Sequence, residues 1–342
     1  MAQLAHRVGA AFAACLLAAA LMLPAGTDTA QQIKPNEQSV QEEMLLQQLQ
    51  GRGAAIGGRA SLPDERAGNL ITPGGRDWSD LRRGTLFNIT LWTFVGMLAL
   101  LAIFYLVRGR IRVESGWAGR TLLRFNAVER FAHWLTAVSF IVLALTGLNL
   151  VLGRVLLLPL IGEGGFGTLS NWGKVAHNFV AWPFMLGLAM ILILWIRDNI
   201  PNRLDMEWLR NAGGFFKKGL HIPAYRFNAG QKLIFWAVLI GGIALSWTGV
   251  ILIFPELAAT FSGWQLAQTI HGIVAAIMTA IILAHIYIGS LGMEGAFDAM
   301  GKGDVDFNWA KEHHSLWVED ALGRAEAKGE PASASRPVAP AE

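Results

Sequence analysis

Four histidines, His133, His177, His271 and His285, are, tyrosine aside, the only ionisable side chains in five long apolar runs of this chain. An ionisable group at membrane depth marks a functional site by default, because its burial is costly unless something binds it. His271 and His285 share one run and lie fourteen residues apart. At about 3.6 residues per turn that is close to four whole turns, so both rings leave one helix face, and a rise of about 1.5 Å per residue stacks them roughly 21 Å apart. One partner near each end completes two bis-imidazole sites, and His133 and His177 are the available partners. Neutral imidazole is a good axial iron ligand, so the simplest occupants are two hemes. Hydrogen-bonded packing histidines and the proton relay of a transporter are the competing readings.

These rings must be carried by membrane helices. With 53% hydrophobic and only 15% charged residues in 342, and a mean hydropathy of +0.41, the chain is too apolar for an ordinary soluble domain. The uncharged runs cover Leu86 to Val107, Phe131 to Gly153, Val175 to Ile196, Leu233 to Pro255 and Gln265 to Met293. Each approaches or exceeds the ~20 residues that cross a bilayer as a helix, the form that satisfies its own backbone in lipid. Ahead of them, His6 and Arg7 precede the apolar run Val8 to Leu23 and then Pro24, Ala25 and Gly26, the outline of a secretory signal over residues 1–30. An uncleaved signal anchor is the alternative. The only cysteine, Cys15, lies inside this leader. A mature chain without thiols holds no thiolate-bound iron–sulfur cluster, no disulfide and no covalent heme of the C-x-x-C-H type, so redox groups must be held by histidine, carboxylate or noncovalent contacts.

Residues 31–85, with Gln31, Gln32, Gln41, Gln47, Gln48 and Gln50 followed by Gly51, Gly53, Gly57 and Gly58, read as a largely disordered tether with a short amphipathic helix around Val40 to Leu49. The division continues with an extra transmembrane helix over 86–107, a transmembrane core over 120–295 and a C-terminal tail over 296–342. No internal repeat of fixed short period is evident.

Arg108, Arg110, Arg112, Arg120, Arg124 and Arg130 follow the first span, and Arg197, Arg203, Arg210, Lys217, Lys218, Arg226 and Lys232 lie between the third and fourth. The other connections hold only Arg154 and Lys174, or no basic residue at all between Pro255 and Trp264. Basic loops stay inside, which predicts an exported N-terminus and a cytoplasmic C-terminus. The pI of about 9.2 then reflects orientation and lipid rather than nucleic acid, for which no motif is present. In this frame His133 and His285 are level on the cytoplasmic side, and His177 and His271 are level on the periplasmic side.

Gly147, Gly173, Gly272, Ala275, Ala276 and Gly289 lie near these positions and leave room for a flat macrocycle, or simply for close helix packing. Most of the 13 tryptophans, such as Trp92, Trp134, Trp195 and Trp236, fall near span ends and read as interfacial anchors. Leu204, Trp208, Leu209, Phe215 and Phe216 among Arg203, Arg210, Lys217 and Lys218 suggest a helix lying on the membrane surface. His313 and His314, in the polar segment Asn308 to Asp320, read as solvated or subunit-facing.

Three strings go further. Arg124-Phe-Asn-Ala-Val-Glu-Arg-Phe-Ala-His133-Trp, Tyr225-Arg-Phe-Asn-Ala-Gly-Gln-Lys-Leu-Ile-Phe-Trp236, and Gly292-Met-Glu-Gly-Ala-Phe with Asn308-Trp-Ala-Lys-Glu-His-His-Ser-Leu-Trp317 resemble the gamma subunits, cytochrome b556, of membrane-bound formate dehydrogenases over about residues 120 to 320. The resemblance implies an all-α integral membrane four-helix cytochrome b bundle, here with one additional N-terminal transmembrane helix. It also implies two b hemes, His177 and His271 holding the periplasmic one and His133 and His285 the cytoplasmic one. Electrons would come from an iron–sulfur beta subunit and pass to a quinone, while an alpha subunit with molybdenum or tungsten oxidises formate. It places the quinone at the Asn-x-Gly of the loop before the third core helix, Asn228 and Gly230, where an amide can bond a ring carbonyl and a glycine lets backbone come close. A cytochrome b of a nickel-iron hydrogenase or of another quinone-linked reductase is the neighbouring reading. A non-redox membrane anchor is the more distant one.

Overall fold

In the computed structural model the described residues are 75–216 and 219–327. The leader, the expected helix at Val40 to Leu49 and the chain beyond 327 lie outside them. Among the described residues five helices are long and apolar enough to cross a membrane, Trp78–Arg108, Ala127–Leu156, Leu158–Trp195, Ala229–Ile253 and Phe261–Gly292. Their outward faces carry large apolar side chains such as Leu106, Ile193 and Trp247, exposed at 82%, 76% and 71%, as lipid contact requires.

The first, α1 (Phe87–Arg108), continues a short helix Gly75–Asp80 and a π-helical turn Leu81–Leu86. Residues 75–85 are therefore helical, not part of a disordered tether. The four core helices are α2 (Ala127–Leu156), α3 (Leu158–Trp195), α5 (Ala229–Ile253) and α6 (Phe261–Tyr287), with the short α4 (Arg203–Arg210) between the second and third. α2 packs along α3, α5 along α6, and α1 against α6. Where helices meet closely the residue is glycine: a Cβ on Gly242 of α5 would lie 2.9 Å from a Leu188 methyl of α3, and one on Gly187 of α3 would lie 3.0 Å from the Thr136 backbone nitrogen of α2.

Helix ends run past the apolar runs because hydropathy marks contact with lipid, while caps mark the helix itself. Asn126, Asn202 and Asn228 each cap a helix and pair with the residue three places on, Glu129, Asp205 and Gln231, in reciprocal capping boxes. The connection expected over residues 154–174 is mostly helix as well. Only Gly162, at φ 71°, breaks the helical path of α3 there, a conformation glycine adopts without a Cβ penalty.

Within the expected tail, the described residues, up to 327, form a folded cap. After α6, a π-helical turn Ile288–Gly292 leads to α7 (Asp298–Gly301), β2 (Asp304–Asp306), α8 (Phe307–His313) and α9 (Ser315–Ala327). β1 (Thr121–Leu123) pairs antiparallel with β2, Leu122 opposite Val305. Val305, Trp309, Trp317 and Phe125 share one buried cluster with Trp195 and Phe227 of the bundle. His314 is fully buried here, against the expectation of a solvated or subunit-facing ring. Burial, with the Arg124 charge beside it, holds its imidazole well below the ordinary range. The neutral ring donates Nδ1–H to the Tyr225 carbonyl at 2.8 Å. Polar composition misleads at this segment because strand pairing and three tryptophans remove it from solvent.

Three tryptophans expected as interfacial anchors also act as tethers. The Trp134, Trp195 and Trp236 indoles donate to the Met300 carbonyl, the Glu129 carboxylate and the Asn199 carbonyl at 2.9, 3.0 and 2.9 Å. Glu129, 5% exposed, also takes Arg226 Nη2 at 2.5 Å and the Asn126 amide at 2.9 Å. Glu129→Gln keeps the shape and gives up the charge on these bonds, so a loss of about 1 kcal/mol is expected, read as a lower thermal midpoint of the purified protein in detergent.

The bundle also contains a duplication. Arg124-Phe-Asn-Ala127, Trp134, Leu143, Thr146 and Gly147 of the first hairpin recur as Arg226-Phe-Asn-Ala229, Trp236, Leu245, Thr248 and Gly249, at a constant spacing of 102 residues. The two arginines exchange bonds across the repeat. Arg124 donates to the Arg226 carbonyl at 2.6 Å, and Arg226 donates to the Arg124 carbonyl at 2.9 Å. α2 and α5 thus start side by side at one end of the bundle.

Candidate functional site

The structure brings the four membrane histidines together as two pairs. His133 of α2 faces His285 of α6 with ring centres 6.2 Å apart and planes at 59°. His177 of α3 faces His271 of α6 at 6.2 Å and 58°. The first pair lies toward the end where α2 and α5 start, and the second lies deeper along α6. A metal–nitrogen bond of about 2.0 Å and roughly 1.1 Å from nitrogen to ring centre put two axial imidazoles about 6.2 Å apart. Among the described residues no group of three or more His, Cys, Asp and Glu could hold a metal ion. Iron between either pair would take its remaining ligands from a macrocycle.

Two threonines that the sequence reading does not single out complete the second pair. Thr146 Oγ1 lies 2.8 Å from His177 Nδ1, and Thr248 Oγ1 lies 3.0 Å from His271 Nδ1. Each is followed by a glycine beside the same ring: a Cβ on Gly147 would lie 3.6 Å from His177 Cε1, and one on Gly249 would lie 3.4 Å from His271 Cε1. The available signal is the Thr-Gly that recurs at 102 residues. His133 Nδ1, by contrast, is buried with no hydrogen-bond partner.

Asn228 sits at the start of α5, where its Oδ1 accepts the Gln231 amide at 3.0 Å. That bond engages only the carbonyl half of the side chain; the Nδ2 donor remains. Asn228 lines a shallow indentation, too tight for a water-sized molecule, with Asn202, Asp205, Trp208, Tyr225 and Phe227. At Gly230 a Cβ would lie 2.6 Å from Trp208 Cη2, so its bare Cα admits the α4 indole. Lys232, 4% exposed, ties α5 to the same α4, donating to Asp205 Oδ2 at 2.9 Å and to the Ile200 carbonyl at 3.1 Å. A polar cavity of about 430 Å³, lined by Arg124, Arg226, Lys232 and Asp198, shares Asn202 and Tyr225 with the Asn228 indentation.

The sequence profile of prokaryotic cytochrome b561 matches residues 124–303, which contain both histidine pairs. This chain belongs to that family. It is 31% identical over 213 residues to the formate dehydrogenase cytochrome b556(fdo) subunit of Escherichia coli, covering 61% of this chain and 98% of the relative. It is 29% identical over 215 residues to the nitrate-inducible formate dehydrogenase cytochrome b556(Fdn) subunit of the same organism, covering 62% and 96%. The formate dehydrogenase cytochrome b556 subunit of Haemophilus influenzae is 26% identical over 210 residues, covering 60% and 86%. The chain is a multi-pass membrane cytochrome b, an electron-transfer subunit within an enzyme complex, and its family carries heme b.

The residues present fit that group. Both pairs have the separation of axial ligands, and the glycines at 147 and 249 keep the ring edges of His177 and His271 clear. Gly289, near His285, faces open space, with nothing within 4 Å of where a Cβ would stand, whereas Gly272 packs on Leu86 ahead of α1 and serves helix packing instead.

Proposed function

We propose that this chain is the diheme cytochrome b subunit of a formate dehydrogenase, carrying electrons from an iron–sulfur subunit to a membrane quinone. The two histidine pairs, each with ring centres 6.2 Å apart as axial ligands would be, carry this reading. His133 and His285 would hold one heme b and His177 and His271 the other; bound there, the group supplies reversible one-electron transfer. α6 contributes one ligand to each pair and fixes their separation. Thr146 and Thr248 set the orientation of two rings. At the other end Asn228 Nδ2 offers a donor to a quinone carbonyl, and the polar cavity beside Lys232 and Asp205 offers protons a way in from solvent. Gly230 supports that site through Trp208, by letting α4 close over α5.

The basic loops favour a cytoplasmic C-terminus, a periplasmic mature N-terminus and a quinone site on the cytoplasmic side. Formate oxidation would then belong to a molybdenum or tungsten alpha subunit, with the iron–sulfur beta subunit between. Residues 1–30 act in this reading as an export signal, 31–85 as a periplasmic segment and 86–107 as an added span; 120–295 hold the redox groups and 296–342 include the cytoplasmic cap. A pyridine hemochrome assay on the purified complex tests the central claim, with two noncovalent b hemes per chain expected. One heme or none in an intact preparation refutes it.

A further inference from the structure

We infer that Thr146 and Thr248 are positioning residues that make the His177–His271 site the lower in redox potential of the two. The inference rests on the reading that both pairs hold heme iron. Each threonine sits in a helix and has one hydroxyl hydrogen, which goes to the carbonyl four residues back: Thr146 to Val142 at 2.7 Å and Thr248 to Ala244 at 2.7 Å. With its hydrogen committed, the oxygen can only accept from the histidine. His177 and His271 therefore carry their proton on Nδ1 and leave the Nε2 lone pair for iron.

An acceptor on Nδ1–H does more than choose the tautomer. It draws the proton away, raises the electron density of the ring and makes it a stronger donor, which favours the ferric state. Both ligands of this pair have that help, from symmetry-related threonines. The other pair is built differently, because His133 Nδ1 is buried without a partner. Potential then rises along α6 from the His177–His271 site to the His133–His285 site. An electron moving that way carries no atom with it, oxidises the first site by one unit, reduces the second by one, and travels toward the end of the bundle where Asn228 starts α5.

Potentiometric titration of the heme-loaded full chain decides this, with Thr146→Val and Thr248→Val compared against Thr146→Ser and Thr248→Ser. Valine keeps the volume and removes the hydroxyl, leaving the Leu143 and Leu245 carbonyls as the remaining acceptors near the two rings, whereas serine keeps the hydroxyl. Each valine variant is expected to shift the lower midpoint potential upward, the same heme in both cases, leaving the higher potential in place and changing one low-spin ferric EPR signal. The serine variants should titrate as the parent does. Unchanged potentials in the valine variants with both hemes retained overturn the inference, as does a downward shift or a shift confined to the higher-potential heme. If valine expels the heme, serine decides: parental potentials support the hydroxyl, while loss in serine too assigns the role to methyl packing and refutes it. A parental protein with fewer than two hemes contradicts the diheme reading instead, so the two failures are distinct.

Discussion

His177→Ala and His271→Ala should each remove one heme, and the same one, leaving a single b heme with an unchanged spectrum and potential. The two rings face each other at 6.2 Å across α3 and α6, so neither can ligate alone what both hold together. His133→Ala and His285→Ala should remove the other heme, by the same geometry on α2 and α6. Loss of an outer hydrogen-bond partner of a metal ligand costs about 10- to 100-fold in affinity or activity, so loss of the ligand itself should cut formate-driven quinol formation by at least about 100-fold. Hemochrome quantification and redox titration of each variant provide the check. If His177→Ala and His271→Ala were to lose different hemes, the pairing is wrong.

The second large effect is expected at Asn228. Alanine there would remove the helix cap as well as the amide, confounding a helix-start defect with a binding defect. Serine separates them, since its hydroxyl caps a helix about as well as asparagine but lacks the Nδ2 donor and the reach. Asn228→Ser should therefore keep both hemes and their reduction by formate, yet slow reoxidation by a quinone analogue. One lost hydrogen bond in a site built to make it is worth about 1 to 3 kcal/mol, or roughly five- to a hundredfold if expressed in the transition state. Stopped-flow reoxidation of the pre-reduced protein reads that step alone. Parental rates would leave Asn228 as the cap of α5 and move the quinone elsewhere.

The features legible in the sequence share a physical reason. Lipid contact writes itself into long uncharged runs, so five spans are visible; a histidine inside such a run stands out, and depth alone suggests the pairs that the structure brings to 6.2 Å. Helix ends are less visible because Glu129, Lys174 and Arg83 can extend a helix beyond lipid without breaking it. Thr146 and Thr248 escape notice because a threonine in an apolar helix ordinarily satisfies itself on its own i−4 carbonyl, and both do so while also meeting a ring. The burial of His314 is hidden because it depends on β1 and the 221–228 loop, which are distant in sequence. The duplication is hard to see in one dimension since its matches are scattered singly; Arg124 and Arg226 exchanging carbonyl bonds make it plain.

That duplication bears on how a near-symmetric object can have a direction. At the spacing of 102 residues, the counterpart of His133 is Phe235. Counted from the paired rings His177 and His271, the counterpart of His285 is Ile191. Phe235 and Ile191 are both about 6% exposed and belong to one apolar cluster. The two sides thus differ at the same depth: one side of the pseudo-twofold holds the histidine pair His133 and His285, and the related side is sealed with hydrocarbon. Perfect twins would offer an arriving electron two equal exits. In the proposed diheme reading, filling one of them turns a fork into a single-file wire.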